Sequence, residues 1–154
     1  MRVIDKTSLC GLQSVGPSSF NDAEKSGAQF SQILWIALIE KMIAAGLPLD
    51  GLMYGVSWPA DNLTPPQEIF YFCGFESATP VEGFNCLELE GGSYFEYKCE
   101  VPADNIDLGF QEAYMVAMPA SGLKNRDGQH LELYGAEYDP NSPIARFSIL
   151  IPVE

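Results

Sequence analysis

Residues 131–138 read LELYGAEY, and residues 51–58, which read GLMYGVSW, resemble them 80 residues earlier. Mixed aromatic and aliphatic residues of this kind are typical of a half-buried β-strand. The matched pairs are Tyr54 with Tyr134, Gly55 with Gly135 and Trp58 with Tyr138. Leu52 stands where the later copy carries Glu132. The two stretches therefore predict a duplicated strand, with one unrepeated carboxylate set among aromatic side chains.

The sequence around the earlier stretch predicts one strand–helix–strand–strand unit. Strands are expected at residues 8–15, 52–58 and 69–75, and a helix at 29–47. That helix should end at Gly46, because Pro48 prevents its continuation. It is apolar on nearly every side, so we expect it to be buried on most sides.

The sequence around the later stretch repeats the order. Strands are expected at 94–101, 130–137 and 146–153, and Asp104 or Asn105 should cap a helix that runs to about residue 118. An additional strand at 86–90 lies near the junction. No linker separates the halves, so we predict one domain over residues 1–154, with an internal repeat of roughly 1–78 and 84–154.

The charge of the chain excludes several classes of partner. Twenty-one acids against eight bases give a formal net charge of −13. Such a surface repels phosphate backbones and anionic lipids, so direct nucleic-acid or membrane binding is not expected. It attracts cations, although the more ordinary explanation of the surface charges is that they simply maintain solubility.

The cysteine and histidine content argues against a metal site. Four cysteines are widely spaced without a C-x-x-C pair, and His130 is the single histidine. We expect no metal and no cofactor. The N-terminus lacks the apolar run of a signal peptide, and no stretch is long enough to span a membrane, so we expect a cytoplasmic protein with reduced thiols.

An ordered set of landmarks extends over almost the whole chain. They are Gly11, Gly16-Pro17, Phe30, Leu34-Trp35, Tyr54-Gly55, Glu132-Leu133-Tyr134 and Ile149-Leu150-Ile151-Pro152. In this order they resemble the effector-binding domain family, which multidrug-responsive bacterial (AraC-type) transcription activators share with GyrI-like small-molecule-binding proteins. The resemblance implies an α+β fold. Two pseudo-symmetric strand–helix–strand–strand units would form one antiparallel sheet with two main helices and a central ligand groove.

The same resemblance implies a class of ligand. In drug-binding members a glutamate at the Glu-x-Tyr position, here Glu132, lies among aromatic rings and selects cationic, lipophilic compounds. No helix-turn-helix segment precedes the domain in this sequence. The chain therefore resembles a stand-alone ligand-binding protein that is a monomer or a dimer. A separate DNA-binding protein or another partner could receive its signal.

Strand alternation gives an independent prediction of the site. Glu132 and Tyr134 share one face of their strand, and Tyr54 and Trp58 share one face of the matching strand. If Leu131 and Leu133 pack under the helices, these four side chains line the groove together. The alternative is that Glu132 is a structural acid, hydrogen-bonded to a tyrosine hydroxyl or to backbone, or an acid exposed on a face of the sheet.

Three further aromatic residues are candidates for the groove. Trp35 is either a groove wall or helix core, and Tyr114 is either near the groove or scaffold. Phe72 belongs to a strand whose aromatic residues crowd both faces, and the sequence does not decide which face lines the groove. His130 is two residues from Glu132, but no nucleophile is positioned by spacing, so we expect His130 to be structural or solvent-facing.

Three functions compete. The leading one is reversible capture of cationic or aromatic small molecules for sensing or sequestration, without turnover. The second is hydrolysis of electrophilic natural products with Glu132 as general base. The third is an interaction protein whose acidic surface binds a basic partner, as in gyrase-modulating relatives.

Overall fold

Eight strands form the framework of the protein in the computed structural model, which describes residues 1–17, 27–63 and 66–154. Most strands start or end within two residues of the predicted positions. The strands are β1 (Arg2–Ile4), β2 (Thr7–Pro17), β3 (Met53–Pro59), β4 (Glu68–Glu76), β5 (Asn85–Leu89), β6 (Gly92–Pro102), β7 (His130–Tyr134) and β8 (Ile144–Pro152).

The strands pair into one sheet in the order β1-β6-β8-β7-β3-β4-β2-β5, and every pair is antiparallel. The centre of the sheet is the β3·β7 pair, where the two halves of the chain meet. The sheet curls into a half-barrel, which confirms the predicted α+β class with an antiparallel sheet and two helical segments.

The edge strands are exchanged between the halves. β5 lies next to β2 of the first half, whereas β1 lies next to β6 of the second half. The additional strand predicted at 86–90 therefore has a counterpart, β1, that the sequence did not indicate. β1 has only three residues, and its hydrogen bonds come from a strand about 90 residues away.

The first helix, α1 (Gly27–Ala44), ends as predicted. The amide of Leu47 donates to the carbonyl of Met42, and the amide of Gly46 donates to the carbonyl of Ile43. Gly46 has a φ of 72°. This is a Schellman ending, in which the amides of a residue with positive φ and of the next residue donate hydrogen bonds to the last carbonyl groups of the helix.

The expectation that α1 is buried on most sides is wrong. Leu38 and Met42 are buried against the sheet, but Ile33 is 62% exposed and Ile43 is 61% exposed. The sheet covers α1 from one side only, so the remaining apolar side chains face outward. High apolar content alone does not show how many sides of a helix find a partner.

The second helical segment runs without a break from Asp107 to Ser121. It comprises α2 (Asp107–Gln111), a π-helical stretch (Glu112–Ala117) and α3 (Met118–Ser121). The prediction that Asp104 or Asn105 caps it is wrong, because Ile106 occupies the N-cap without a side-chain cap bond.

The sheet has two faces, each with its own core. The helix face packs against α1 and the second helical segment, whereas the inner face lies within the curl of the sheet. Inner-face residues include Tyr54, Val56, Phe72, Leu131, Leu133 and Leu150. Helix-face residues include Met53, Tyr71, Cys73, Phe147 and Ile149. None of the described helices is both long and apolar enough to cross a membrane.

Candidate functional site

The two helical segments rest on different parts of the helix face. α1 packs on β2 and β4, and α2 packs on β6. The central strands β3 and β7 lie between them, at the junction of the two halves. Glu132 of β7 lies on the helix face of this central part of the sheet, where it is partly exposed.

Two tyrosines hold the Glu132 carboxylate. The Tyr134 hydroxyl donates a hydrogen bond to Glu132 Oε1 over 2.7 Å, and the Tyr71 hydroxyl donates to the same oxygen over 3.1 Å. Tyr71 comes from β4, on the far side of β3. The carboxylate is therefore drawn across the central strand towards the first half of the sheet.

Trp35 connects α1 to this pair of tyrosines. Its indole N–H donates to the Tyr71 hydroxyl over 2.9 Å, and its ring meets the Tyr134 ring edge-on, with centroids 5.4 Å apart. The Tyr134 ring also stacks on Phe147 at 5.1 Å and meets Tyr138 at 5.0 Å. The carboxylate is thus enclosed by rings that restrain one another.

Gly55 makes room for this arrangement. It is the Cα partner of Glu132 across the β3·β7 pair. A Cβ atom at Gly55 would lie 2.6 Å from the Tyr71 hydroxyl oxygen and 3.0 Å from Glu132 Cδ. Because these distances are shorter than normal contacts, only glycine lets the carboxylate and the hydroxyl meet over β3.

Burial dominates the electrostatics of the site. It raises the pKa of Glu132 above its ordinary value, while the hydrogen bonds from Tyr134 and Tyr71 act in the opposite direction. Burial also raises the pKa values of Tyr71 and Tyr134, and the nearby Glu132 charge adds to this. Both tyrosines therefore stay protonated and serve as hydrogen-bond donors.

Glu132 has no protein counter-ion in the described parts of the chain. The ion pairs recorded there involve Arg2, Lys124 and Arg146, all near the surface. Both recorded hydrogen bonds end on Oε1, and none of the described residues donates to Oε2. The site thus combines a half-buried carboxylate with one oxygen that receives no hydrogen bond from the described residues.

Tyr114 and His130 border the site on the side of the second helical segment. The Tyr114 hydroxyl lies 2.7 Å from His130 Nδ1, and the two rings stack. Burial, followed by the charge of Arg126, lowers the pKa of His130 to about 4. His130 is therefore a neutral ring at ordinary pH, and the Glu132 charge contributes to the raised pKa of Tyr114.

Four of the seven residues predicted for the site lie together on the helix face: Glu132, Tyr134, Trp35 and Tyr114. The other three, Tyr54, Trp58 and Phe72, belong to the inner-face core or pack against it. The prediction that Tyr54 and Trp58 share a face with Glu132 is wrong. Leu131 and Leu133 pack on the inner face with them, not under the helices.

The register of β3 against β7 explains this outcome. Met53 is the Cα partner of Tyr134, whereas Tyr54 is the partner of Leu133. Residues directly opposite each other share a face, so Tyr54 and Tyr134 point to opposite faces. The sequence alignment, which matches each residue of the earlier stretch with the residue 80 positions later, therefore matches side chains that point to opposite faces of the sheet. An alignment shifted by an odd number of residues would match side chains on the same face, because a shift of one residue reverses the face of every side chain.

Trp58 lines a different cavity on the opposite face. Its ring stacks on Phe70, with centroids 5.4 Å apart. The cavity has a volume of about 360 Å³ and is bordered by Trp58, Pro59, Leu87, Glu90, Gly128 and Gln129. Trp58 and Glu132 are therefore separated by the sheet.

Tyr71 and Gly55 belong to the site although the sequence does not single them out. Tyr71 is one of the aromatic residues of β4 whose face the sequence leaves undecided, and the residue predicted for the groove is its neighbour Phe72. The β3·β4 register, in which Ser57 is opposite Tyr71, places Tyr71 on the helix face. Gly55 is matched with Gly135 in the repeat, but its position opposite Glu132 depends on strand pairing.

The described residues contain no group of three or more His, Cys, Asp or Glu side chains that could hold a metal ion. Among the described residues, two tyrosine hydroxyls donate to Glu132, and the Trp35 indole donates to one of these tyrosines. Tyrosine and tryptophan rings with a single carboxylate suit an organic ligand better than a metal ion.

Comparison with known proteins identifies a family match. Residues 4–154 match the family model described as GyrI-like small molecule binding domain. No curated protein sequence matches the chain significantly.

Several solved structures share the fold. SAV2435 bound to tetraphenylphosphonium has a TM-score of 0.74 and 14% identity, over 99% of this chain and 92% of that chain. A protein thought to act in bacterial transcription regulation, from Staphylococcus aureus MU50, has a TM-score of 0.70 and 12% identity, over 99% and 95%. An integron cassette protein from the Vibrio cholerae mobile metagenome has a TM-score of 0.64 and 17% identity, over 99% and 94%.

Proposed function

The chain belongs to the family of GyrI-like small molecule binding domains, and from this premise we propose that it reversibly binds a lipophilic organic cation against Glu132. The ligand lies in the groove between α1 and the second helical segment. Binding serves sensing or sequestration of the compound, and a separate partner protein receives any signal.

The observation that carries the proposal is that Glu132 is largely removed from water and has no counter-ion among the described residues. Burial disfavours its negative charge, and no described Lys or Arg pairs with it. A charged group taken partly out of water is costly unless it is paired. A cation at Oε2 supplies the missing partner, while the tyrosines continue to occupy Oε1.

The aromatic side chains favour a cation whose charge is spread over a large apolar body. Trp35 and Tyr134 present rings beside the carboxylate, and a cation over an aromatic face gains roughly 0.5–2 kcal/mol. The Trp35 N–H and both tyrosine hydroxyls are already donating within the network. Few directional groups remain for the ligand, so charge selects its class and the rings tolerate variation in its shape.

The comparisons support the same class of ligand. SAV2435, which has the same fold, is bound to tetraphenylphosphonium, a lipophilic cation. The net charge of −13 also concentrates cations near this chain.

One observation favours a second candidate, hydrolysis of an electrophilic compound. A carboxylate with a raised pKa is a better general base near neutral pH than an exposed one. Product formation from an epoxide probe, abolished in Glu132→Gln, would establish turnover. Binding of a cation without product formation from the probe would support the leading function.

The direct test is calorimetric titration of the full chain with tetraphenylphosphonium. We expect Glu132→Gln to bind about 10- to 100-fold more weakly, because the charge attraction between the phosphonium and a partly buried carboxylate about 6 Å away is worth roughly 1.5–3 kcal/mol and each 1.4 kcal/mol is tenfold. Tetraphenylborate has a similar shape and the opposite charge, and we expect no binding of it in the groove.

The matched control is Glu76→Gln. Glu76 also accepts a tyrosine hydroxyl, that of Tyr54, but the Tyr54 ring lies on the inner face. This substitution removes the same charge and should leave the affinity nearly unchanged. Equal affinities of wild type and Glu132→Gln would remove Glu132 from the site, and equal losses in both variants would indicate only general attraction of cations.

A further inference from the structure

Two cysteines lie directly opposite each other at the edge of the sheet. Cys10 of β2 and Cys86 of β5 are Cα partners in the antiparallel β2·β5 pair. Directly opposite residues of such a pair project their side chains to the same face. The two thiols therefore lie side by side, although they are far apart in sequence.

The spacing suits a disulfide. Opposite residues of an antiparallel pair have Cα atoms about 5.5 Å apart when they exchange hydrogen bonds and about 4.5 Å apart when they do not. Disulfides join cysteines whose Cα atoms are about 4.4–6.8 Å apart. Either type of pair satisfies that range, so the register alone brings Cys10 and Cys86 within bonding reach.

The thiols differ in access and interact with each other. Cys86 is exposed, whereas Cys10 is only 1% exposed and donates to the Thr79 carbonyl over 3.7 Å. Partial desolvation, then the Cys10 thiol through its charge and a hydrogen bond, raises the pKa of Cys86. Both cysteines border a cavity of about 270 Å³, and an oxidant in solution reaches the exposed Cys86 thiol directly.

We propose that Cys10 and Cys86 are a redox-active dithiol that forms a cross-strand disulfide with glutathione disulfide as oxidant. The Cys86 thiolate attacks one sulfur of glutathione disulfide, which forms a mixed disulfide and releases one glutathione thiolate. The Cys10 thiolate then attacks Cys86 Sγ and releases the second. The protein loses two protons and two electrons, and glutathione disulfide is reduced to two glutathione molecules.

The other two cysteines do not compete. Cys73 lies opposite Leu12 in the β2·β4 pair, diagonal to Cys10. Such neighbours are about 7–8 Å apart, beyond the reach of a disulfide without movement of the backbone. Cys99 lies in β6, in the core beneath the second helical segment, and burial raises its pKa to about 12.

The bond would join the two halves of the chain. Cys10 belongs to the first half and Cys86 to the second, and β5 is held at the sheet edge only through β2. Oxidation therefore fixes an edge strand that is otherwise paired on one side, and it closes a long loop in the unfolded chain. Both effects stabilise the folded protein.

The test is incubation of the purified full chain with glutathione disulfide, followed by intact mass measurement and non-reducing peptide mapping. We expect wild type to lose two hydrogens and to yield a Cys10–Cys86 peptide, faster at higher pH because the thiolate is the nucleophile. We expect Cys10→Ser to stop at a glutathione adduct on Cys86. Cys86→Ser should form at least tenfold less internal disulfide, and the control Cys99→Ala should behave like wild type.

Peptide mapping of the wild-type protein tests the proposal without depending on whether any of the variants folds. A stable glutathione adduct on Cys86 without an internal disulfide would overturn the proposal, as would a disulfide mapped to Cys73 or Cys99. An oxidised protein whose thermal midpoint is not raised above that of the reduced protein would contradict the stabilising role of the bond.

Discussion

Glu132 is subject to two opposing influences. Burial disfavours its charge, and the Tyr71 and Tyr134 hydroxyls favour it through hydrogen bonds to one oxygen. The balance lies with burial, so the folded-state pKa of Glu132 exceeds its ordinary value. A carboxylate in this state gains from any cation that reaches its second oxygen, and the same carboxylate costs stability when no cation is bound.

This cost predicts a pH dependence of stability. Because the folded state holds the Glu132 proton to higher pH than the unfolded state, the stability associated with it is present below the unfolded pKa. It is lost as the pH rises through the folded pKa. We expect Glu132→Gln, which remains neutral, to unfold at higher denaturant concentration than wild type at pH 7 and at a similar concentration near pH 4.

Urea unfolding of both proteins across this pH range measures the effect. The experiment is done without a cationic ligand, which would stabilise wild type selectively. Parallel pH profiles of wild type and Glu132→Gln would show that the folded and unfolded pKa values of Glu132 do not differ.

At the scale of single elements, β3 shapes the site through an absent side chain. Gly55 lies opposite Glu132, and the Tyr71 hydroxyl approaches the carboxylate through the space that a Cβ atom at Gly55 would occupy. A glycine inside a strand normally weakens it. Here it permits side chains from β4 and β7 to meet over the strand between them.

Gly55→Ala should therefore separate Tyr71 from Glu132. We expect about tenfold weaker binding of tetraphenylphosphonium and a loss of about 1–3 kcal/mol in the free energy of unfolding, as is usual when a packed site receives an extra methyl group. Calorimetric titration and urea unfolding measure the two effects.

Gly51→Ala is the matched control, because a Cβ at Gly51 meets no heavy atom within 4 Å. We expect it to bind and unfold nearly like wild type. Unchanged affinity in Gly55→Ala would show that the Tyr71–Glu132 contact does not contribute to binding.

At the scale of the whole molecule, the two halves are joined in three places. β3 pairs with β7 at the centre, β1 of the first half pairs with β6, and β5 of the second half pairs with β2. Each half therefore completes its sheet with strands of the other. This arrangement supports the prediction that residues 1–154 form one domain, because neither half has a full set of strand partners alone.

We accordingly expect a single cooperative unfolding transition. Tryptophan fluorescence reports on Trp35 and Trp58, on opposite faces, while far-ultraviolet circular dichroism reports on the whole backbone. The midpoints of the two signals should coincide in urea. Separate midpoints would show that the halves unfold independently and would contradict a single domain.

The order and type of the main elements could be predicted from local sequence. Strand composition and the Gly46 ending of α1 depend on neighbours within a few residues, so both can be predicted from the sequence. The same local information identified the family resemblance and singled out Glu132 as an unrepeated carboxylate. β1 is not predicted from the sequence, because a three-residue edge strand has hardly any pattern of its own and depends on β6 for its hydrogen bonds.

The faces of the strands were decided by the tertiary structure. Side chains alternate along a strand, so the sequence groups Tyr54 with Trp58 and Glu132 with Tyr134, but it does not state which groups meet. The register of β3 against β7 places them on opposite faces. Sequence by itself thus determined that a carboxylate and a set of aromatic residues exist. Only strand pairing decided which of those aromatic residues surround it, because one step in register reverses every side chain.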